Sequence, residues 1–317
     1  MSRVLTDIAE HLGVGTEDVR KFIFAAPARY KVFSIPKRRG GQRTIAQPSA
    51  PLKEIQRFVA ANQLATFPVH DAAAAYITGK SIADNAARHR KGKYLLKLDF
   101  ENFFNSITVK DWRRLVALTP NHGITPQDLP HLDRILFWGG GTFSPIMLSV
   151  GAPSSPTISN MIMFRFDTAV SQKAAEVGAV YTRYADDISI SAPTAKTCLE
   201  VERFAVSALR ALKYPGLRFK TDKRGLYGPG QRRLVTGLVV TPDNRVSLGR
   251  ERKRNISSLV HKASLGKLDA PEMLELKGLL GFVHSAEPRF LQTLKTKYGA
   301  ELVQRIAAFE VKKLGDG

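Results

Sequence analysis

The stretch VYTRYADDISIS, residues 180 to 191, constrains the fold more than any other part of the chain. Residues 180–184 and 188–191 each mix apolar and polar residues in the alternating way of strands with one buried face. Asp186 and Asp187 stand between them, so the segment predicts a hairpin with two adjacent carboxylates at its turn. A purely structural turn is one interpretation, because turns tolerate aspartate. Adjacent carboxylates repel each other, however, and a bound divalent cation removes that cost.

A third acid that can join this pair is Asp99, in the segment KYLLKLDFENFF. Leu96 and Leu98 alternate with Lys97, so the segment begins as a strand and Asp99 falls near its end. A buried carboxylate without a partner would be costly at such a position. If the two strands bring the three acids together, they form the minimum apparatus for phosphoryl transfer assisted by two metal ions. Mg²⁺ is the expected ion, because it combines one or two carboxylates with water and phosphate oxygens.

The charge balance indicates the partner of the chain. Lys and Arg number 48 against 28 Asp and Glu, which leaves a net charge of +20. A basic surface without a particular partner is one interpretation, but nucleic acid is favoured, because neutralising phosphates releases condensed counterions. The single cysteine, Cys198, excludes an internal disulfide framework and suits a reducing, cytoplasmic location. The N-terminus lacks the apolar core of a signal peptide, and no uninterrupted apolar run is long enough to predict a membrane span.

The remaining pattern mixes helices and short strands. Residues 2–26 predict helices, with Thr16 as an N-terminal cap, and residues 30–48 predict two strands joined by a Gly-Gly turn with a basic tip. Residues 139–160 are typical of a loop, and residues 158–177 are helical in pattern. Further helices are predicted over 51–67, most of 110–137, 194–212 and the basic tail from about Arg250, with short strands and turns over 216–240.

Several motifs in this order resemble the palm of a reverse transcriptase. YADD lies within alternating strands, Asp99 ends an earlier strand, and GAPSSPTISN at residues 151–160 stands between them. A basic hairpin precedes these motifs and a lysine-bearing loop follows them, so that the resemblance covers residues from about 29 to 240. NAARH at residues 85–89 and VTG at residues 235–237 are similar to the NAxxH element and the VTG triplet of bacterial retron reverse transcriptases.

The resemblance implies an α+β chain with a right-hand polymerase fold: fingers, a palm whose antiparallel sheet is packed by helices, and a helical thumb. It divides the chain into an N-terminal helical segment at 1–28, fingers at 29–92, a palm at 93–240 with a finger-like insertion at about 110–150, and a thumb at 241–317. The stretch after the VTG triplet is too short for a nuclease domain beside the thumb. Removal of RNA is therefore expected from a host RNase H.

Carried onto this sequence, the resemblance also implies a catalytic site. The resemblance assigns metal binding to the catalytic carboxylates of Asp99, Asp186 and Asp187 and to the backbone carbonyl of Phe100. Nucleotide contacts fall to Arg43, Phe104, Gly151 and Lys223. Lys37–Arg39 could join Arg43 at the triphosphate, although a solvated hairpin tip explains them equally well.

The implied nucleotide contacts have separate tasks. Phe104 would exclude a ribose 2′-hydroxyl by steric clash, or it is an ordinary core phenylalanine. Gly151 would let the backbone approach the nucleotide and the primer end. Lys223 would donate a proton to pyrophosphate. The alternative is that it has no specific role and is one of several basic residues in its loop. Val150 departs from the glutamine that the family commonly has, which puts the usual contact near the sugar in doubt.

The two short retron motifs imply recognition of the protein's own RNA. The residues concerned are Asn85, His89, Val235, Thr236 and Gly237. Asn85 and His89 would share one face if their segment is helical, and a structural role for the histidine is the alternative. The VTG triplet is also explained as a strand with a bulge.

Together these features imply an RNA-directed DNA polymerase of a retron, which copies part of a cognate structured non-coding RNA into multicopy single-stranded DNA, primed from a guanosine 2′-hydroxyl. The expected partners are that RNA, its DNA product, deoxynucleoside triphosphates, an effector protein in defence against phage, and two Mg²⁺ ions, for which Mn²⁺ would substitute. No membrane partner is expected. A palm-fold nucleotidyl cyclase or transferase is one alternative, but it would not need the basic hairpin or the thumb. An RNA-binding scaffold with a vestigial palm is the other, and the intact acid trio argues against it.

Overall fold

The computed structural model describes residues 2–36 and 40–310, so Lys37–Arg39 of the hairpin tip lie outside the described residues. Helices and strands are mixed along the chain, as the pattern predicts. The helices are α1 (Arg3–Leu12), α2 (Thr16–Ala25), α3 (Ala50–Asn62), α4 (Ile82–Arg88), α5 (Val109–Leu118), α6 (Leu129–Leu136), α7 (Ser155–Ile162), α8 (Phe164–Glu176), α9 (Ala195–Leu212), α10 (Arg250–Ser264), α11 (Ala270–Ala286), α12 (Pro288–Tyr298) and α13 (Ala300–Ala307). The strands are β1 (Tyr30–Pro36), β2 (Gln42–Pro48), β3 (Tyr94–Asp99), β4 (Val180–Tyr184), β5 (Asp187–Ala192), β6 (Gly225–Tyr227), β7 (Arg233–Val235), β8 (Leu238–Val240) and β9 (Val246–Ser247).

Two helix starts differ from the sequence pattern. Thr16 is the first residue of α2 and not its cap, because the carbonyl of Gly15 already accepts the N–H groups of Asp18 and Val19 at 3.1 and 3.2 Å. Helix α7 begins at Ser155, inside the segment expected to be a loop. A proline in its first turn, Pro156, costs nothing there, since the first N–H groups of a helix lack partners within it.

The chain forms two compact units. The first comprises residues up to Ile77, Leu96–Ile190 and Lys196–Gly225, and the second comprises Thr78–Leu95, Ser191–Ala195 and the described residues from Leu226 onward. The four segments expected from the sequence have other boundaries, and that division stays a prediction.

Both hairpins predicted from the sequence are present in the structure. Strands β1 and β2 pair antiparallel from Tyr30 opposite Pro48 to Pro36 opposite Gln42. A four-stranded sheet has the order β4-β5-β3-β6, so the strand that ends in Asp99 is the direct neighbour of the strand that starts at Asp187. Strands β7, β8 and β9 form a separate antiparallel sheet.

The second unit has its own apolar core. Helices α10 to α13 bury a continuous set of leucine, isoleucine and valine side chains against β7 and β8, among them Ile256, Val260, Leu280, Val283 and Ile306. Helix α4 is fixed at its start by a capping box between Ser81 and Asp84. In the part of the chain that the structure describes, no helix combines the length and the apolarity needed to cross a bilayer.

Candidate active site

The sheet brings the three predicted acids to one place. Strands β4 and β5 are joined by Ala185 and Asp186, and Asp187 opens β5. Ala185 adopts a φ of 56°, in the left-handed region that a tight turn requires. The N–H of Phe100, directly after Asp99, donates to the carbonyl of Asp186 at 3.1 Å. The end of β3 is thereby tied to the turn that carries the acid pair.

The electrostatics of these acids is unfavourable without a cation. Burial raises the pKa of Asp99, and burial together with the charges of Asp99 and Asp187 raises the pKa of Asp186. The Asp99 side chain is only 7% exposed, whereas that of Asp187 is 44% exposed. Positive charge close by therefore favours the ionised forms of Asp99 and Asp186.

Two lysines supply positive charge in this structure. The Nζ of Lys223 lies 2.6 Å from Oδ2 of Asp99, and this contact counteracts the upward shift of the pKa of Asp99. The Nζ of Lys97 lies 4.0 Å from Oδ1 of Asp187. Lys223, predicted to act on pyrophosphate, is thus found paired with the first of the three acids.

The donor set fits a hard divalent cation. Three carboxylates and a neighbouring backbone carbonyl, at Phe100, are oxygen donors of the kind that Mg²⁺ selects. Among the described residues, however, no three His, Cys, Asp or Glu side chains are already gathered into a group that could hold an ion.

A cleft of about 340 Å³ lies in the same unit, lined by polar, aromatic and basic side chains. Its lining includes two of the predicted nucleotide contacts, Phe104 and Gly151. Lys53 and Arg57, on α3, also line it, and no sequence motif marked them. Tyr76 lines it too, and sequence reasoning missed it.

Gly151 is held where only glycine fits easily. Its φ is +123°, and a Cβ there would lie 3.1 Å from the carbonyl oxygen of Ala46. Next to it, the carbonyl of Val150 accepts the N–H of Ala46 at 3.0 Å. The backbone of the glycine loop therefore packs directly on β2, the strand that carries Arg43. Arg43 itself is exposed.

Phe104 is half-buried at the start of a short 3-10 helix, Phe104–Ser106. Its ring meets that of Phe103 edge to face at 5.3 Å, and its remaining surface lines the cleft. Phe103 is buried and stacks on Phe100 at 5.7 Å. Of the two adjacent phenylalanines, Phe103 is thus the core residue and Phe104 forms part of the cleft wall.

A buried ion pair beneath the acid turn also escaped sequence reasoning. Arg183 and Asp167 are both fully buried, with Nη2 of the arginine 2.7 Å from Oδ2 of the aspartate. The hydroxyl of Tyr181 donates to the same carboxylate at 2.6 Å. Nη1 of Arg183 donates to the carbonyl of Ala185 at 3.1 Å, so the pair supports the turn itself. The available signal was an arginine inside an apolar strand, two residues before the turn.

The two retron motifs meet in the second unit. The hydroxyl of Thr236 donates to the carbonyl of Ile82, in α4, at 3.0 Å, and Val235 is buried beside that helix. Thr236 and Gly237 have φ values of 47° and 80°, which gives the tight turn between β7 and β8. Gly237 is exposed, and its carbonyl accepts from Nη1 of Arg252 at 3.2 Å.

Asn85, on α4, and His89, the residue directly after its end, point into the protein. Both are almost completely buried, and Nδ1 of His89 lies 2.8 Å from the hydroxyl of Ser191. The side-chain amide of Asn85 has no hydrogen-bond partner among the described residues. A buried side chain offers no direct contact to RNA, so α4 is suited to supporting the exposed VTG turn. Their part in RNA recognition stays a prediction.

Comparison with known proteins agrees with this arrangement. Residues 35–237 match the family model described as reverse transcriptase (RNA-dependent DNA polymerase). The chain is 38% identical over 308 residues to the retron Ec83 reverse transcriptase of Escherichia coli, covering 96% of this chain and 98% of that protein. It is 31% identical to the retron Mx162 reverse transcriptase of Myxococcus xanthus, covering 89% of this chain and 63% of that protein.

A third relative, the retron Ec86 reverse transcriptase of Escherichia coli, is 29% identical, with 93% of this chain and 90% of that protein covered. These matches support the polymerase interpretation of the sequence over the cyclase and scaffold interpretations. The chain belongs to the bacterial retron reverse transcriptases and is an RNA-directed DNA polymerase with their right-hand fold.

Proposed function

We propose that this polymerase copies part of a cognate structured non-coding RNA into multicopy single-stranded DNA, starting from the 2′-hydroxyl of a guanosine in that RNA. Asp99, Asp186 and Asp187 form its catalytic centre. The observation that carries the assignment is the hydrogen bond from the N–H of Phe100 to the carbonyl of Asp186, which joins strand ends far apart in the sequence. Membership among retron enzymes supports the choice of template and product.

The carboxylates of Asp99, Asp186 and Asp187 would hold two Mg²⁺ ions together with the carbonyl of Phe100, and Mn²⁺ would substitute. When bound, these ions lower the pKa of the attacking hydroxyl and neutralise charge on the leaving pyrophosphate. Lys223 opposes the rise in the pKa of Asp99 that burial causes, since their contact is 2.6 Å. The ammonium of Lys223 would also donate a proton to the leaving pyrophosphate.

The other residues of the cleft orient the substrates. The guanidinium of Arg43 binds the triphosphate, for which its planar fork is suited. Gly151 allows the backbone to approach the sugar and the primer end. Phe104 excludes a 2′-hydroxyl by contact, which selects deoxynucleotides without any hydrogen bond. Lys53 and Arg57, on the cleft lining, add positive charge for the phosphates.

RNA recognition is proposed for the second unit. Asn85, His89 and Val235 support the surface from within, and Thr236 and Gly237 present it. Basic residues of α10 then follow the sugar–phosphate backbone. Proteins recognise structured RNA mainly through its shape, its phosphates and its unpaired bases. A small exposed turn beside arginines can therefore contribute to that recognition.

The proposed partners follow from this function. An effector protein would act with the RNA–DNA product in defence against phage, and a host RNase H would remove the copied RNA. The assignment of the effector is tested by deleting its gene beside that of the polymerase and counting phage plaques. Protection that is unchanged by the deletion would refute this part of the proposal.

The catalytic assignment is tested with purified protein, its co-purifying RNA and deoxynucleoside triphosphates. Asp186→Asn should retain RNA and lose DNA synthesis by at least about a thousandfold, since one of the proposed metal-binding carboxylates is removed. Asp222→Asn is the matched control, because this neighbouring aspartate is 68% exposed and its ion pair among the described residues is with Lys220. Full DNA synthesis by Asp186→Asn would refute the proposed centre.

The priming assignment needs its own experiment. Sequencing the co-purifying nucleic acid identifies the guanosine to which the DNA is joined, and a synthetic RNA with 2′-deoxyguanosine at that position should give no DNA. The unmodified synthetic RNA is the control. DNA of normal length from the modified RNA would refute priming from the 2′-hydroxyl while leaving the polymerase assignment intact.

A further inference from the structure

Tyr76 has a backbone conformation that a bulky residue rarely adopts. Its φ is 61°, in the left-handed region, where a non-glycine side chain is unfavourable unless the surroundings enforce it. Strain of this kind concentrates at functional sites. No motif of the sequence points to this residue.

Two hydrogen bonds fix the residues directly before Tyr76. The buried amide of Asn160, on α7, donates from Nδ2 to the carbonyl of Ala75 at 2.9 Å. One residue earlier, the N–H of Ala74 donates at 2.8 Å to the carbonyl of Arg183, on the strand that leads to the acid turn. The residues before Tyr76 are thus fixed to the scaffold of the active site, which holds its side chain in place.

The ring of Tyr76 is directed to the substrate cleft and not into the core. It is 56% exposed and lines the cleft together with Phe104 and Gly151. Its ring centre lies 6.4 Å from that of Tyr184, the first residue of YADD. The charges of Asp186 and Arg43 both act on the pKa of its hydroxyl, which burial raises. Tyr76 is therefore close enough to both Arg43 and Asp186 to feel their charges.

We propose that Tyr76 contacts the substrate, with its ring packed against a nucleobase of the base pair being formed, and that Asn160 is the residue that positions it. An aromatic ring held in a cationic cleft is the usual platform for a base, because every base has a π face. Two buried oxygens near Tyr76 lack hydrogen-bond partners in the part of the chain that the structure describes, as is expected where a ligand binds. Oδ1 of Asn160 and the hydroxyl of Ser155, which lines the cleft, are buried without a hydrogen-bond partner among the described residues.

This inference rests on the proposed catalytic centre, and its tests distinguish the two. Tyr76→Leu should raise the KM for deoxynucleotides or weaken template–primer binding roughly tenfold, the scale of one base–aromatic stack, while Tyr76→Phe stays near wild type. Phe143→Leu is the matched control: Phe143 is 57% exposed in the same unit but stacks on Phe24 and is not part of the cleft lining. Equal behaviour of Tyr76→Leu and Phe143→Leu would overturn the contact, even if Asp186→Asn is inactive as expected.

Fluorescence gives a readout that is independent of catalysis. A 2-aminopurine placed in the template opposite the incoming nucleotide should be quenched by the ring in the ternary complex of wild type and Tyr76→Phe. The emission should rise in Tyr76→Leu and stay quenched in Phe143→Leu. Unchanged emission in Tyr76→Leu would overturn the stack.

The positioning role of Asn160 is tested by a double-mutant cycle. Asn160→Ala should reproduce the KM and fluorescence changes of Tyr76→Leu, and adding it to Tyr76→Leu should change neither readout further. Asn160→Ser, which keeps a small donor, is the second variant if Asn160→Ala does not fold. Additive effects of the two substitutions would overturn the positioning role.

Discussion

Removing the carboxylate of Asp167 is expected to destabilise the first unit more than any surface charge change. Asp167 and Arg183 are fully buried, and three contacts of 2.7 to 3.2 Å join the guanidinium to the carboxylate. The hydroxyl of Tyr181 donates to the same group at 2.6 Å. Asp167→Ala therefore leaves one charge and one hydroxyl inside the core without their acceptor.

The size of the effect follows from that burial. Removing one partner of a buried pair costs about 3–5 kcal/mol, because the remaining charge is neither paired nor hydrated. An exposed pair is worth less than about 1 kcal/mol. Asp222→Asn, at the exposed contact of 3.5 Å with Lys220, is therefore the appropriate control.

Equilibrium unfolding in urea, followed by circular dichroism, measures both variants. Asp167→Ala should lower the free energy of unfolding by about 3–5 kcal/mol, and Asp222→Asn by less than about 1 kcal/mol. The double variant Asp167→Leu, Arg183→Met should recover most of the stability, since well-packed apolar residues replace a buried pair at little cost. Its DNA synthesis should nevertheless remain slower than that of wild type, because the donor to the Ala185 carbonyl is gone. A loss below about 1 kcal/mol for Asp167→Ala would refute this account of the pair.

Three further predictions concern single residues. Gly151→Ala should reduce DNA synthesis at least about tenfold in primer extension, because its Cβ would lie 3.1 Å from the carbonyl of Ala46 at a φ of +123°; activity equal to wild type would contradict the tight approach. Phe104→Ala should admit ribonucleotides, measured as the ratio of kcat/KM for ribo- and deoxynucleotides, and an unchanged ratio would contradict the steric wall. Burial and the charge of Arg20 lower the pKa of His131. The folded protein therefore favours the neutral imidazole, and this contribution to stability is fully present above the ordinary histidine pKa. It is lost as the pH falls through the folded-state pKa. His131→Gln should flatten this dependence in unfolding curves between about pH 5 and 7, and an unchanged slope would contradict it.

The sequence predicted the elements that local pattern determines. Alternation of apolar residues located β3, β4 and β5, and the two adjacent aspartates marked the turn between the last two. The hairpin of β1 and β2 was marked by its Gly-Gly turn. These predictions succeed because the strand period and turn chemistry are properties of neighbouring residues.

What escaped prediction depends on contacts between distant segments. Lys223 meets Asp99 across 124 positions, and Asn160 meets the carbonyl of Ala75 across 85. The left-handed backbone of Tyr76 is imposed by such contacts, since tyrosine has no local preference for it. Arg183 and Asp167 pair only because α8 packs against β4. No local pattern records these distances.

The central claim is that Asp99, Asp186 and Asp187 form one cation-binding centre. Electron paramagnetic resonance of free Mn²⁺ measures uptake by the protein in complex with its RNA and a deoxynucleotide. Wild type and Asp222→Asn are expected to take up two ions with similar affinity, whereas Asp99→Asn should bind them at least about tenfold more weakly, because it removes one charged ligand. Equal uptake by Asp99→Asn and Asp222→Asn would contradict a shared centre.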